Sequence, residues 1–354
     1  MKKAFLIFSL TLILGTLSCG TTPHPSGSGD APVSEDTQLP KPGLVSTPDY
    51  ESVSEPETQG TVSVPPGLRV IYIKDGNLWS WTEAGGNAQL TNTGDMSTAR
   101  VSDDGQLLAF MRGREVWTVG MDGMNARLLS TQANEGGALW FSRDRSMLAV
   151  STTDHIDVIN LGTATSVTLT MYPTLQIGIY PEVVWSPDAL GFKTVIPPQA
   201  ESGQAEMLFV FTDGTVASLA KFAMSPLTES LPFLSPDGGY LIYAANLDSS
   251  QKSLYLMDSS GAARPYGEPA SHVRAYGWLP DSKHFVFGLG EPQRVFVGSV
   301  DSPPVSNDAK FPPTNRWIDN VHYLSSENGN LILGDFNGAQ TLIDSRASNF
   351  DFIP

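Results

Sequence analysis

From about residue 60 to the C-terminus the chain is built from short apolar runs of four or five residues. Clusters of Gly, Asp, Asn, Ser and Pro separate them. Leu107-Leu108-Ala109-Phe110, Met147-Leu148-Ala149-Val150 and Tyr240-Leu241-Ile242-Tyr243 are representative. No window in this stretch carries an apolar stripe at 3.6-residue helical spacing. Runs this short, rich in aromatic and β-branched side chains and bounded by turn formers, predict buried strands. Asp-Gly or Asn-Gly pairs at 75–76, 122–123, 213–214, 328–329 and 337–338 suit the positive φ angles of tight hairpins.

The runs recur in a fixed context: an apolar anchor, Ser, a Pro/Asp/Gly turn, then the apolar run. Clear copies are Val101-Ser102-Asp103-Asp104-Gly105, Phe141-Ser142-Arg143-Asp144, Trp185-Ser186-Pro187-Asp188, Leu234-Ser235-Pro236-Asp237-Gly238 and Trp278-Leu279-Pro280-Asp281. Weaker ones stand at Ser63-Val64-Pro65-Pro66-Gly67 and Trp317-Ile318-Asp319-Asn320. Successive copies are 38, 40, 44, 49, 44 and 39 residues apart. A period near 40 residues predicts a propeller or solenoid, and four short strands per period are the dimensions of a propeller blade. The expected fold is therefore all-β: a β-propeller with seven blades favoured, or six if 69–92 and 317–324 complete one blade together. The strand-like Asn349-Phe350-Asp351-Phe352-Ile353 is placed to close the ring. In unit four Ala189-Leu190-Gly191 replaces the Gly turn, and the longer spacing predicts an extended loop near 197–206.

This order of residues resembles TolB-type β-propeller repeats, which also occur in the propeller domains of prolyl-oligopeptidase-like enzymes. The resemblance covers about 285 residues. It implies that anchor Trp and Phe side chains pack between blades. Ser102, Ser142, Ser186, Ser235 and their Asp neighbours then bond the turn backbone rather than serve catalysis.

The first 59 residues are of another kind. Lys2 and Lys3 precede an apolar stretch from Ala4 to Leu14, then small residues lead to Cys19, the only Cys in the chain. A basic start, about 11 apolar residues and a small-residue cut describe an export signal, too short for a membrane span of about 20. Thr16-Leu17-Ser18-Cys19-Gly20 resembles a bacterial lipobox, with Leu17 two residues before the Cys where the usual pattern has it three. That resemblance implies cleavage before Cys19 and acylation of its thiol. The other reading is an ordinary signal peptide with Cys19 near the cut. Residues 19–59 are rich in Pro, Ser, Thr and Gly, with seven acidic residues against Lys41. Such a segment buries too little apolar surface to offset chain entropy and reads as a disordered tether. The expected organisation is signal peptide 1–18, tether 19–59 and propeller 60–354, with membrane contact through the lipid alone, in the cell envelope outside the cytoplasm.

Composition narrows the function more than it names it. With 37 acidic and 21 basic residues the net charge is −16, and no basic run exceeds two residues. That excludes the clustered Lys and Arg on which nucleic-acid affinity rests. One Cys excludes an intramolecular disulfide framework. The five His residues show no metal-ligand spacing, and no Gly-x-Ser-x-Gly elbow or P-loop occurs. No cofactor or metal is expected. The sequence runs only about ten residues past the last repeat, so the hydrolase domain that accompanies this repeat in oligopeptidases is not expected. The expectation is a platform that binds an envelope protein or a peptide or glycan ligand. The alternative is an exported hydrolase or lyase acting at the channel mouth. Segments entering the anchor strands should reach that mouth. They carry Glu135, Tyr180, Glu182, Glu229, His272, Arg274, Asn315 and Arg316 as candidate binding residues.

Overall fold

The computed structural model describes residues 62–131, 133, 137–170, 180–198, 204–225, 229–302 and 316–354. Cys19, Glu135 and Asn315, the signal peptide, the tether and part of the predicted 197–206 loop lie outside these residues. The described chain contains no helix and folds into seven antiparallel sheets arranged in a ring, the seven-bladed alternative of the expectation. The innermost strands of blades 2 to 7 are Met96–Val101, Ala138–Phe141, Val184–Trp185, Phe233–Leu234, Val273–Trp278 and Arg316–Trp317. In blade 1 that place is filled from the far end of the chain. Ala347–Ile353 pairs with Arg69–Lys74, so the last strand closes the first sheet. The weak first copy at 63–67 accordingly forms no strand, because its position in the blade is already occupied.

The second strand of each blade explains why the apolar runs are continuous rather than alternating. In Leu107–Arg112 and Tyr240–Asn246 four and five consecutive residues are buried. A blade is covered by a neighbour on each face, so both sides of its middle strands must be apolar. The core is accordingly not one mass but seven wedges, each between adjacent blades. Ile156, Val158, Trp185 and Phe192, for example, join blades 3 and 4, and Val70, Tyr72, Leu331 and Leu333 join blades 7 and 1. Outermost strands face water, and in Gly86–Gln89 every residue is exposed.

In blades 2 to 5 the turn after the innermost strand is fixed by the Ser and Asp of the repeat. Ser102 Oγ donates to Asp104 Oδ1 at 2.8 Å and accepts the Leu107 N–H at 3.0 Å. Ser142–Asp144, Ser186–Asp188 and Ser235–Asp237 repeat the contact at 2.7, 2.6 and 2.6 Å. Gly105 and Gly238 take the left-handed turn position with φ of 66° and 68°. In unit four Ala189 occupies it at φ 56°, so the missing Gly changes the residue and not the turn.

Anchor residues also tie blade to blade. The indole N–H of Trp185 donates to the Trp140 carbonyl at 3.0 Å, and that of Trp278 to the Phe233 carbonyl at 2.9 Å.

Candidate functional site

Side chains alternate along an innermost strand, so if the anchor turns into the wedge the residue before it turns toward the ring axis. In blades 2 to 5 these residues are Arg100, Trp140, Val184 and Phe233, and in blades 7 and 1 they are Arg316 and Phe352. In blade 6 a bulge between Ala275 and Gly277 puts Tyr276 in the equivalent place. All seven line one central channel of about 530 Å³. These seven positions are largely aromatic, with two arginines.

Both arginines are held by the closing strand. Asp351, only 3% exposed, lies between them. Arg316 Nη2 stands 2.9 Å from Asp351 Oδ1, and Arg100 Nε stands 3.4 Å from Oδ2. The Val101 N–H donates to Asp351 Oδ2 at 2.7 Å, and Arg316 Nη1 donates to the Phe350 carbonyl at 3.1 Å. Burial pushes the Asp351 carboxyl above the ordinary range, against the pull of Arg100 and the backbone N–H groups. The guanidinium groups also stack, Arg100 5.0 Å from the Trp140 ring centre and Arg316 5.6 Å from that of Phe352.

At the end of the channel where the chain enters the innermost strands, a smaller apolar pocket of about 160 Å³ lies across blades 3 to 5. Tyr180 and Glu182 line it together with Trp140, Pro197, Pro232 and Phe233. Glu182 also lines the channel, so it stands where the two spaces meet. Its Oε2 accepts the Leu234 N–H at 2.9 Å, and its carbonyl accepts from Thr194 Oγ1 at 2.7 Å. Burial pushes the Glu182 carboxyl up to about 7, opposed by the Leu234 N–H and the charge of Arg100. A carboxyl held near neutrality exists in both protonation states under ordinary conditions.

The remaining predicted residues fall elsewhere. Glu229, His272 and Arg274 line a polar groove of about 510 Å³ between blades 5 and 6. Lys252 Nζ contacts Glu229 Oε2 at 2.6 Å, and Arg274 Nε donates to the Glu229 carbonyl at 2.8 Å. Arg316 belongs to the channel. The described candidates thus divide among pocket, groove and channel rather than forming one cluster. Sequence reasoning missed Arg100, Trp140, Phe233, Tyr276, Asp351 and Phe352. For all of these but Asp351 the signal was present: each sits one place before its anchor, or two in the bulged blade 6.

Among the described residues no group of three or more His, Cys, Asp or Glu side chains is arranged to hold a metal. His284 and His322 open second strands and are tied to the preceding turn, their Nδ1 atoms 2.6 and 2.9 Å from Asp281 and Asp319. His155 similarly meets Asp154 at 2.6 Å and Asp157 at 3.4 Å.

No protein-family model matches this sequence, and no curated protein matches it. Solved structures do. A functionally unknown protein from Desulfotomaculum acetoxidans superposes with a TM-score of 0.56 at 10% identity, over 81% of this chain and 98% of its own. The Pyrococcus horikoshii acylaminoacyl peptidase gives 0.52 at 12% identity, over 80% of this chain and 52% of its own. TolB from Acinetobacter baumannii gives 0.46 at 14% identity, over 81% of this chain and 66% of its own. The chain thus spans just under two thirds of that TolB and about half of the peptidase. At these identities the likeness is one of fold.

Proposed function

We propose that this chain is an exported, lipid-anchored propeller that binds a protein or small ligand at the entry end of its central channel. The observation that carries the reading is the junction there: an aromatic channel, two arginines held by Asp351, and an apolar pocket sharing Glu182. Aromatic and Arg side chains are the types that dominate binding energy, and concave apolar sites with a few fixed polar groups are where ligands bind. Placement at the envelope rests on Lys2-Lys3, the apolar stretch to Leu14 and Cys19. Several acyl chains on one Cys would anchor stably, and a forty-residue tether averaging about 35 Å would hold the propeller clear of the lipid. The test is capture from a detergent-solubilised envelope fraction by the intact protein and by Trp140→Ala and Phe233→Ala variants. A partner retained by the parent and lost by both variants supports the reading; equal retention by all three overturns it. Fatty-acid labelling tests the anchor separately, with Cys19→Ala expected to abolish incorporation.

A second reading has one observation in its favour. A carboxyl near 7 is what a general acid or base at neutral pH requires, and Glu182 has it at a channel mouth. A hydrolase or lyase acting there on a glycan or peptide would lose turnover in Glu182→Gln, and turnover in a screen of such substrates would displace the first reading.

A further inference from the structure

We infer that the pocket at the junction binds an organic ammonium group: an apolar body of benzene-ring size, with at most a short linker, carrying a cationic nitrogen. The inference rests on reading the channel mouth as a binding site and names the chemistry that site accepts. Its walls are the rings of Trp140, Tyr180 and Phe233 with Pro197 and Pro232, and Glu182 is its one ionisable acid. Ring faces present negative potential to a cation, and three rings with a carboxylate form the cage that ammonium groups occupy. Trp140 already makes this kind of contact with Arg100.

Size and charge exclude the other classes. A pocket of about 160 Å³ is close to the ~150 Å³ apolar cavity that takes up benzene. An anion would meet the carboxylate of Glu182. A neutral hydrocarbon would strip water from that carboxylate and supply no counter-charge. A cation does neither, and the net charge of −16 raises its concentration near the surface. Of the charged groups around Glu182, Arg100 acts on it directly. Arg316 and Asp351 are paired with each other, and Lys193 on the adjoining strand is turned to the Gly238 carbonyl at 2.6 Å.

Titration calorimetry of the full-length protein with phenethylammonium and tetramethylammonium, against benzyl alcohol and phenylacetate, tests this. Saturable binding of the two cations is expected, at least about tenfold tighter than benzyl alcohol, with no binding of phenylacetate. Affinity for the cations should be flat above pH 8 and fall about tenfold per unit below 7 as Glu182 takes up its proton. Glu182→Gln should weaken them about tenfold or more and remove the pH dependence. The parent's own pH profile decides the matter even if a variant misfolds. Equal affinity for benzyl alcohol and phenethylammonium, a flat pH profile, or no saturable heat with either cation would overturn the inference. Capture of an envelope partner that Glu182→Gln leaves intact would overturn the ammonium site and leave the platform standing. Cation binding without any captured partner would support the small-ligand form of that reading and set aside the protein partner.

Discussion

Arg316, on the innermost strand of the last complete blade, reaches Asp351 on the closing strand at 2.9 Å. Arg100, on the other side of that strand, meets the same carboxylate at 3.4 Å. The strand that closes the ring is thus gripped from both neighbouring blades through one buried acid. Removing one member of a buried pair leaves the others uncompensated, so Asp351→Ala is expected to destabilise the propeller by about 3–5 kcal/mol in urea unfolding. Deleting residues 347–354 should cost at least as much, because it also uncovers the hydrogen-bonding edge of Arg69–Lys74. A truncated chain as stable as the parent would show that blade 1 holds without its fourth strand.

The same device shows why fold and site differ in how far the sequence reveals them. The repeats were legible, with seven blades favoured and six left open, because every blade must bury a middle strand on both faces, which forces an apolar run and a turn at each repeat. Leu107–Phe110 and Tyr240–Tyr243 each satisfy that condition within a few residues. The closing role of Asn349–Ile353 was legible from alternation alone. Asp351, however, gains its meaning only from Arg100 and Arg316, which stand 251 and 35 positions away in the chain. The pocket is likewise assembled from three blades: Trp140 from one, Tyr180 and Glu182 from the next, Phe233 from a third. Tyr180 and Glu182 were found because they precede an anchor strand. Trp140 and Phe233 stand one place before the anchors Phe141 and Leu234 and were not singled out. A strict reading of strand parity would have turned both toward the axis.

The indole bonds between blades give a second expectation. Trp185→Phe and Trp278→Phe keep most of the apolar area but remove the donors to the Trp140 and Phe233 carbonyls. Each substitution should cost about 1–3 kcal/mol, the toll of an unsatisfied buried carbonyl. The two sites share no partner, so the double variant should lose the sum. A shortfall in the double variant would mean that the blades respond together rather than as independent wedges.

Close approach rather than turn geometry explains Gly334. It lies opposite Tyr323 in the register of blade 7, and a Cβ there would fall 2.2 Å from the Tyr323 ring. The ring is fully buried and packs edge-on against Trp317, with centres 5.4 Å apart. It has no cheap direction in which to move. Gly334→Ala should therefore destabilise by about 1–3 kcal/mol, with a change in near-ultraviolet dichroism from the displaced aromatic pair. Gly298, opposite Phe285 with a corresponding 2.4 Å approach, should behave alike.

The composition of residues 20–59 leads to an expectation of a different kind. With Tyr50 as its only aromatic and a surplus of acidic residues, the segment has little with which to contribute to a core. A chain beginning at Gly60 should melt at the same temperature as one beginning at Cys19. A fall of several degrees would show that the segment packs on the propeller and is not a simple spacer.

The last expectation follows from Glu182 and has a sign that can be worked out beforehand. Its carboxyl is raised from 4.5 to about 7 in the folded protein, so the folded state holds this proton more tightly than the unfolded chain does. Acidification from 7 toward 4.5 therefore favours folding through this group, and its contribution is lost as pH rises through about 7. A shift of that size corresponds to about 3 kcal/mol, trimmed by solvent screening because the side chain is half-buried. Glu182→Gln removes the ionisation, while the amide oxygen can still accept the Leu234 N–H. The variant should consequently be about 1–3 kcal/mol more stable than the parent at pH 8 and equal to it near pH 4.5. Asp351 titrates in both proteins, so its effect cancels in the comparison. Urea midpoints taken across this range give the difference directly. A constant offset between the two curves would mean that Glu182 keeps its charge down to the ordinary carboxylate range. Both its place as the acid of the channel mouth and its use as a counter-charge with a neutral-pH midpoint would then have to be abandoned.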